Sequence, residues 1–240
     1  MMIRRAMVMA AGLGLRMRPL TNDRPKPLIT VAGKALIDHT LDRLVTARVE
    51  MAVINLHYYG DMLRAHLGKR RDIEIRYSDE SEAVLDTGGG VVQALPHFEG
   101  EPFFVINSDS IWVEGYSSAL PTLGRLWDGD RMDGLLLLSA MVSSLGYDGW
   151  RGDFRLSSTG HVSRVPDRTI SPFAFPGIQI VHPRLFDDPP SRIFSTNVMW
   201  DRAIAKDRLY GARLDGVWLH VGSPKARDDA EEFLTHLGLA

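Results

Sequence analysis

Three uninterrupted apolar runs, MAVINL (51–56), PFFVINSD (102–109, apolar up to its polar end) and GLLLLSAMV (134–142), most restrict what this chain can fold into. None alternates polar with apolar residues, so a strand made from any of them has to be covered on both faces. Between the runs lie segments of helical period. ALIDHTLDRLVTARV places Leu36, Ile37, Thr40, Leu41, Leu44 and Val45 at three-to-four spacing, Gly60 to Leu67 reads as a short helix, and GGGVVQALPHF opens a helix that Pro96 should close. A first strand at Ala6 to Ala10 and a half-alternating one at DIEIRYS (72–78) complete the pattern. Strands alternating with helices predict an α/β fold: a doubly wound, mostly parallel sheet with helices on both faces.

Beyond Asp109 the pattern loosens. Ser117 to Trp127 reads as helix, YDGWRGDFRLSSTGHVSRVPD as a Gly-rich hairpin, and FAFPGIQIVHPRLF as a strand running into a Pro-marked turn. A helix at Asn197 to Lys206, a strand GVWLHVG and a terminal helix from about Ser223 follow. No repeat, low-complexity tract or linker divides the chain, so one domain is expected over 1–240. Its two halves, 1–110 and 111–240, should form the two walls of a cleft.

The net charge of −2 argues against a global field for nucleic acid or anionic lipid, so any anionic ligand has to be met by local cations. Cysteine is absent, which excludes disulfides, thiol catalysis and thiolate metal sites. The opening apolar run is short, Gly-interrupted and followed by Arg16 and Arg18, unlike a secretory leader, and no run reaches the roughly 18 residues of a membrane span. A cytoplasmic protein is the expectation.

The first strand runs into Gly12-Leu13-Gly14, a turn whose backbone can approach a phosphate closely because glycine lacks a Cβ. The dinucleotide fingerprint would need a glycine where Met17 stands, and the Walker Gly-Lys-Ser/Thr is missing. Present instead are Arg16, Arg18 and Lys26, with Pro19, Pro25 and Pro27 stiffening the path. Such a loop suits a polyphosphate that is held while it reacts.

The stretch AAGLGLRMRPLTNDRPKPL, with VAGKALIDH after it, resembles the signature of the sugar-1-phosphate nucleotidylyltransferases. LDTGGG (85–90), NSD (107–109), RGDF (151–154), FPGI (175–178) and WLHVGSP (218–224) continue the likeness. They are most similar to the short branch acting on N-acetylmuramic acid α-1-phosphate, which lacks a C-terminal β-helix domain. The resemblance implies a Rossmann-like nucleotidyltransferase fold whose N-terminal half holds the nucleoside triphosphate and whose second half holds the sugar phosphate. The phosphate oxygen of the sugar 1-phosphate would attack the α-phosphorus of an NTP, UTP in that branch, and expel pyrophosphate.

By matching position, Arg16 and Lys26 would be catalytic, Arg16 on the β- and γ-phosphates and Lys26 between the α-phosphate and the sugar phosphate. Ala11, Gly12, Gly14 and Leu15 would hold the NTP with them, and Asp86, Thr87 and Gly88 would meet the base. Asn107, Asp153 and Gly177 would face the sugar, with Tyr147, Trp112 and Trp150 as candidate walls. Asp109 would ligate Mg²⁺, with Mn²⁺ as a substitute. The second metal position, an aspartate in the family, is His220 here. It can ligate, hold a metal-bound water, or leave Asp109 to work with the phosphates alone, as a core or triphosphate-facing histidine. Two rivals remain at this stage: the same chemistry on a glucose- or mannose-type 1-phosphate with UTP, dTTP or GTP, and a non-catalytic nucleotide-sugar-binding regulator. Neither a nucleic acid nor a membrane partner is expected.

Overall fold

The apolar runs become the middle of a ten-stranded sheet in a computed structural model that describes residues 2–147, 151–166 and 168–239. Strands β1 (Arg5–Met9), β2 (Met51–Leu56), β3 (Glu74–Asp79) and β4 (Phe103–Asn107) are parallel, in the order β4-β1-β2-β3. The chain continues through β5 (Ser110–Glu114), β6 (Gly134–Ala140), β7 (Ser144–Leu145), β8 (Phe154–Leu156) and β9 (Val162–Arg164). Strands β10 (Phe173–Ala174), β11 (Ile178–Val181), β12 (Leu209–Arg213) and β13 (Gly216–His220) follow, and Thr30–Val31 pairs with Lys34–Ala35 in a small ribbon apart. Strand β11 lies antiparallel between β4 and β6, β12 runs parallel to β6, and β10, β8 and β9 carry the sheet antiparallel to its far edge. A separate three-stranded sheet is made of β5, β13 and β7.

Both faces of the large sheet are covered, as expected from strands without alternation. Ala6, Val8, Ala52, Ile54, Phe104, Ile106, Leu135 and Leu137 join one apolar cluster with Ile37, Leu41 and Leu44 of α1 (Leu36–Thr46), Leu63 of α2 (Gly60–Leu67) and neighbours further along the chain. Their sequence neighbours Met7, Val53, Phe103, Val105, Leu136 and Leu138 join a second cluster. It includes Val91 and Ala94 of α3 (Asp86–Ala94), and Met199 and Trp200 of a later helix. Helix α4 (Ala119–Leu126) adds Leu120 and Leu123 to the first cluster, and α5 (Asn197–Ala205) supplies that later helix of the second. Ile37, Leu41 and Leu44 are fully buried, each worth about 1.5–3 kcal/mol against exposure.

The structure departs from the sequence expectations in several elements. Helix α3 starts at Asp86 and stops at Ala94, two positions before Pro96, which sits in a 3₁₀ turn over Leu95–Phe98. Strands β5 and β12 were not expected. The terminal helix α6 (Pro224–His236) is capped as its sequence implies: the Ser223 hydroxyl accepts the Ala226 N–H at 3.2 Å, with proline at the first turn. Among the described residues no helix is long and apolar enough to cross a membrane.

This topology fixes where a ligand can sit. After β1 the chain builds outward to β2 and β3, then returns to lay β4 on the other side of β1. The loops leaving the carboxyl ends of β1 and β4 therefore diverge and open a crevice, the usual ligand position in open α/β sheets. Ser108 clips the two ends together, its N–H and hydroxyl both donating to the Met9 carbonyl at 3.2 and 2.7 Å.

Candidate active site

The crevice holds a cavity of about 260 Å³ whose lining includes Ala11, Gly12, Lys26, Asp86, Thr87, Asn107 and Asp109. Residues named separately from the sequence thus meet at one sheet edge. Gly14 makes the geometry possible. Its φ of 64° is left-handed, and a Cβ there would lie 3.0 Å from Thr21 and 3.2 Å from Lys26, so the loop folds back on itself only with glycine. The Thr21 hydroxyl then donates to the Gly14 carbonyl at 2.8 Å. The fold-back ends in a 3₁₀ turn over Lys26–Leu28 whose preceding Pro25 is extended, and this turn delivers Lys26.

Lys26 Nζ donates to Asp109 Oδ2 at 2.6 Å, both side chains being mostly buried at 14% and 21% exposure. Burial alone would push the Asp109 carboxyl up, but the Lys26 ammonium, the neighbouring His220 and the hydrogen bond from Lys26 hold it below the ordinary carboxylate range. The Asp109 carbonyl accepts the Val221 N–H at 3.1 Å, which ties the end of β13 to the Asp109 backbone and explains how His220 comes near its carboxylate. The His220 ring lies against Gly222, where a Cβ would come 2.4 Å from Nε2, and 5.3 Å from the Trp218 ring.

The other expected residues divide. Arg16 and Leu15 stand exposed in a 3₁₀ turn over Leu15–Met17, on the loop beside the cavity and outside its lining. Asp86, at a left-handed φ of 60°, turns Oδ1 back to accept the Thr87 N–H at 2.6 Å. Thr87 Oγ1 accepts the Thr196 N–H at 2.9 Å. The Gly88 and Gly89 N–H groups both donate to the Phe194 carbonyl, at 2.8 and 3.2 Å. They are spent on the chain rather than aimed into the cavity. The space beside Gly88 is filled by the Phe194 ring.

A second cavity of about 280 Å³ adjoins the first, sharing Met9, Asp86, Thr87 and Asn107 with it and reaching Asp153. Both Asp153 oxygens are fixed, Oδ1 by the Tyr147 hydroxyl at 2.9 Å and Oδ2 by the Phe175 N–H at 2.8 Å. Burial and the adjacent Asp153 carboxylate push the Tyr147 phenol well above its ordinary range, so it stays a donor. Gly177, at φ 78°, leaves room that the Asn107 amide occupies. Trp112 is a core residue at 2% exposure, and Trp150 lies outside the described residues.

Two lining residues escaped the sequence reading. Asn55 and Glu80 are buried, at 1% and 3% exposure. Asn55 Oδ1 accepts the Ala10 N–H at 2.6 Å and its Nδ2 donates to Glu80 Oε1 at 2.7 Å, while Glu80 Oε2 accepts the Leu85 N–H at 3.1 Å. Each Glu80 oxygen thus has one partner within the protein and capacity for another, and the residue lines the cavity. An asparagine at the end of an otherwise apolar strand was the available signal.

A family model described as nucleotidyl transferase matches residues 5–123. The N-acetylmuramate alpha-1-phosphate uridylyltransferase of Caulobacter vibrioides is 46% identical over 94% of this chain and 95% of its own length. The protein of that name from Neisseria meningitidis serogroup B is 33% identical over 91% and 93%. A solved UDP-glucose pyrophosphorylase complexed with UDP-glucose superposes with a TM-score of 0.79 at 17% identity, over 98% of this chain and 100% of its own; at that identity the likeness speaks for the fold alone. With the matched segment supplying the loop, the lysine and the strand-end aspartate of the crevice, the chain belongs to the nucleotidyl transferase family.

Proposed function

We propose that this chain transfers a uridylyl group from UTP to N-acetylmuramic acid α-1-phosphate, forming the nucleotide sugar and releasing pyrophosphate. The observation that carries the reading is the Lys26–Asp109 pair, 2.6 Å apart at the crevice between β1 and β4, in a chain 46% identical to a relative of that name. A phosphate monoester oxygen attacks the α-phosphorus as the α–β P–O bond breaks, and the electron pair leaves with pyrophosphate. The nucleophile is already an anion near neutral pH, so no protein base is required. What the protein has to supply is alignment and positive charge on the phosphates.

Lys26 supplies that charge at the reacting end, with its backbone fixed by Pro25 and Pro27. Arg16 supplies it at the leaving group, from an exposed loop beside the cavity. Asn107 and Asp153 hold the sugar, Asp153 as an acceptor already oriented by Tyr147 and Phe175. The base end is read by Glu80: an acceptor there favours a base with a ring N–H, as uracil has and cytosine lacks.

Among the described residues no group of three or more His, Cys, Asp or Glu gathers as a metal cage. Mg²⁺ is normally held by one or two carboxylates, waters and substrate phosphates, so the donor set fits it, with Asp109 as the ligand and His220 beside it. When bound, the ion would neutralise phosphate charge and favour departure of pyrophosphate.

The test is pyrophosphate release by the purified protein with each of the common NTPs and a panel of sugar 1-phosphates, in Mg²⁺ or Mn²⁺. The highest kcat/KM is expected for UTP with N-acetylmuramic acid 1-phosphate. A faster glucose- or mannose-type substrate would replace the sugar, and no release with any combination would refute catalysis.

A further inference from the structure

The second cavity continues past Asn107 and Asp153 to a single cation, Arg164, held over an aromatic floor. Arg164 is the last residue of β9, and its register partner Phe154 on β8 places both side chains on the same side of the sheet. The guanidinium carbon lies 4.8 Å from the Phe154 ring centre and 5.8 Å from that of Trp200. One edge of the fork is fastened: Nε donates to Asp201 Oδ1 at 2.7 Å, and Nη2 donates to Asn197 Oδ1 at 2.9 Å and to the Asn197 carbonyl at 3.2 Å. Nη1 has no partner among the described residues. The side chain is 37% exposed. A guanidinium stacked on one face and fastened through Nε and Nη2 holds Nη1 in place as a charged donor for an anion.

We infer that Arg164 is the receptor for a second acidic group on the sugar, a carboxylate carried on the ring in addition to the 1-phosphate. This rests on the function proposed above, because N-acetylmuramic acid differs from N-acetylglucosamine by a 3-O-lactyl ether ending in a carboxylate. The phosphate end of the sugar belongs near Lys26 and Asp109, in the first cavity. A substituent pointing away from it enters the second cavity beside Asp153 and meets Arg164 there. Asp201 does not compete for this role. It is bound at Nε and leaves Nη1 open. Arg164 thus selects the carboxylated sugar over its neutral parent, while Asn107 and Asp153 bind what the two have in common.

The experiment measures calorimetric binding of two product nucleotides, UDP-N-acetylmuramic acid and UDP-N-acetylglucosamine, which differ only in the lactyl ether. Wild-type protein is expected to prefer the first. Arg164→Gln should lower that preference by about 10- to 100-fold, the worth of a hydrogen bond to a charged group. Arg164→Lys keeps the charge without the stacked, fastened guanidinium and should lower it less, and it carries the test if the glutamine variant does not fold. Equal weakening of both nucleotides, or a preference unchanged in both variants, would overturn the assignment of Arg164 and leave the proposed reaction standing. Wild-type protein that binds neither nucleotide would refute the reaction itself.

Discussion

Replacing Lys26 with methionine separates the catalytic role of this side chain from its structural one. The ammonium is 2.6 Å from Asp109, and the two side chains are 14% and 21% exposed. Removing one partner of a fully buried pair costs about 3–5 kcal/mol, and an exposed pair is worth about 1 at most. This pair lies nearer the buried limit, and His220 still offsets part of the orphaned charge, so about 2–3 kcal/mol is expected. At roughly 2–4 °C per kcal/mol for a chain of this size, Lys26→Met should lower Tm by about 4–12 °C. Asp109→Asn should do the same from the other side, and the double variant should recover at least about 1 kcal/mol against the sum of the singles. Differential scanning calorimetry in chelator reads these numbers. Pyrophosphate release on the folded variant should fall by about 10²–10³ in kcat/KM, the usual cost of one charge-stabilising group. Additive singles would refute the pair as an energetic unit, and near-normal turnover would remove Lys26 from the mechanism.

Four further outcomes follow from the geometry. Glu80→Gln puts an N–H donor against Asn55 Nδ2 or Leu85 N–H; it should cost about 1–3 kcal/mol and shrink the preference for UTP over CTP, and an unchanged ratio would detach Glu80 from the base. His220→Asp adds a carboxylate beside Asp109, so the Mg²⁺ concentration needed for half-maximal activity, and for half of the Mg²⁺-induced rise in Tm, should fall; no change in either would place His220 outside the metal's reach. Gly177→Ala would set a Cβ 2.4 Å from Asn107 Nδ2 at a φ of 78°, costing about 1–3 kcal/mol of strain and raising KM for the sugar phosphate more than it lowers kcat; a normal KM would make the glycine purely structural. Away from the site, Asp133 resists protonation: burial opposes its charge, but Arg184 and Arg208 outweigh that and hold it below its ordinary 3.8. Its share of stability is complete above 3.8 and lost as pH falls through the lower folded value. The Tm gap between wild type and Asp133→Asn should therefore be full at neutral pH and close in acid, and a gap independent of pH would exclude this linkage.

The sequence exposed the sheet wherever burial left its mark on a whole run. The segment 51–56 is buried at every position and was read as a strand without a residue's error. The same property hides neighbours: β4, β11 and β6 are each buried on both faces, and nothing in them says that β11 enters antiparallel between the other two. Strand β12 was missed because LYGAR has glycine at its centre, a strand breaker by propensity. Its reason is tertiary: a Cβ on Gly211 would press within 2.8 Å of Val162 and 2.9 Å of Leu138, and both of those residues come from other strands.

The glycines of the site show the same limit more sharply, because a missing Cβ records that something approaches without saying what. At Gly14 the approach is the loop's own return through Thr21 and Lys26, within reach of local reading. At Gly88 the sequence expectation is a base, yet the space a Cβ would take is filled by the Phe194 ring, and at Gly89 a Cβ would run into the Arg192 carbonyl. Both contacts come from a segment about a hundred residues away that closes the crevice behind α3. The Gly88 N–H is thus engaged by the chain itself, while Asp86, Thr87 and the buried Glu80, tied to Asn55 and Leu85, line the cavity. Cations are legible because a charge held by prolines has few structural uses, whereas glycine serves a ligand and a distant chain segment equally well, so the place of Lys26 at the crevice follows from its surroundings in sequence and the Phe194 neighbour of Gly88 does not.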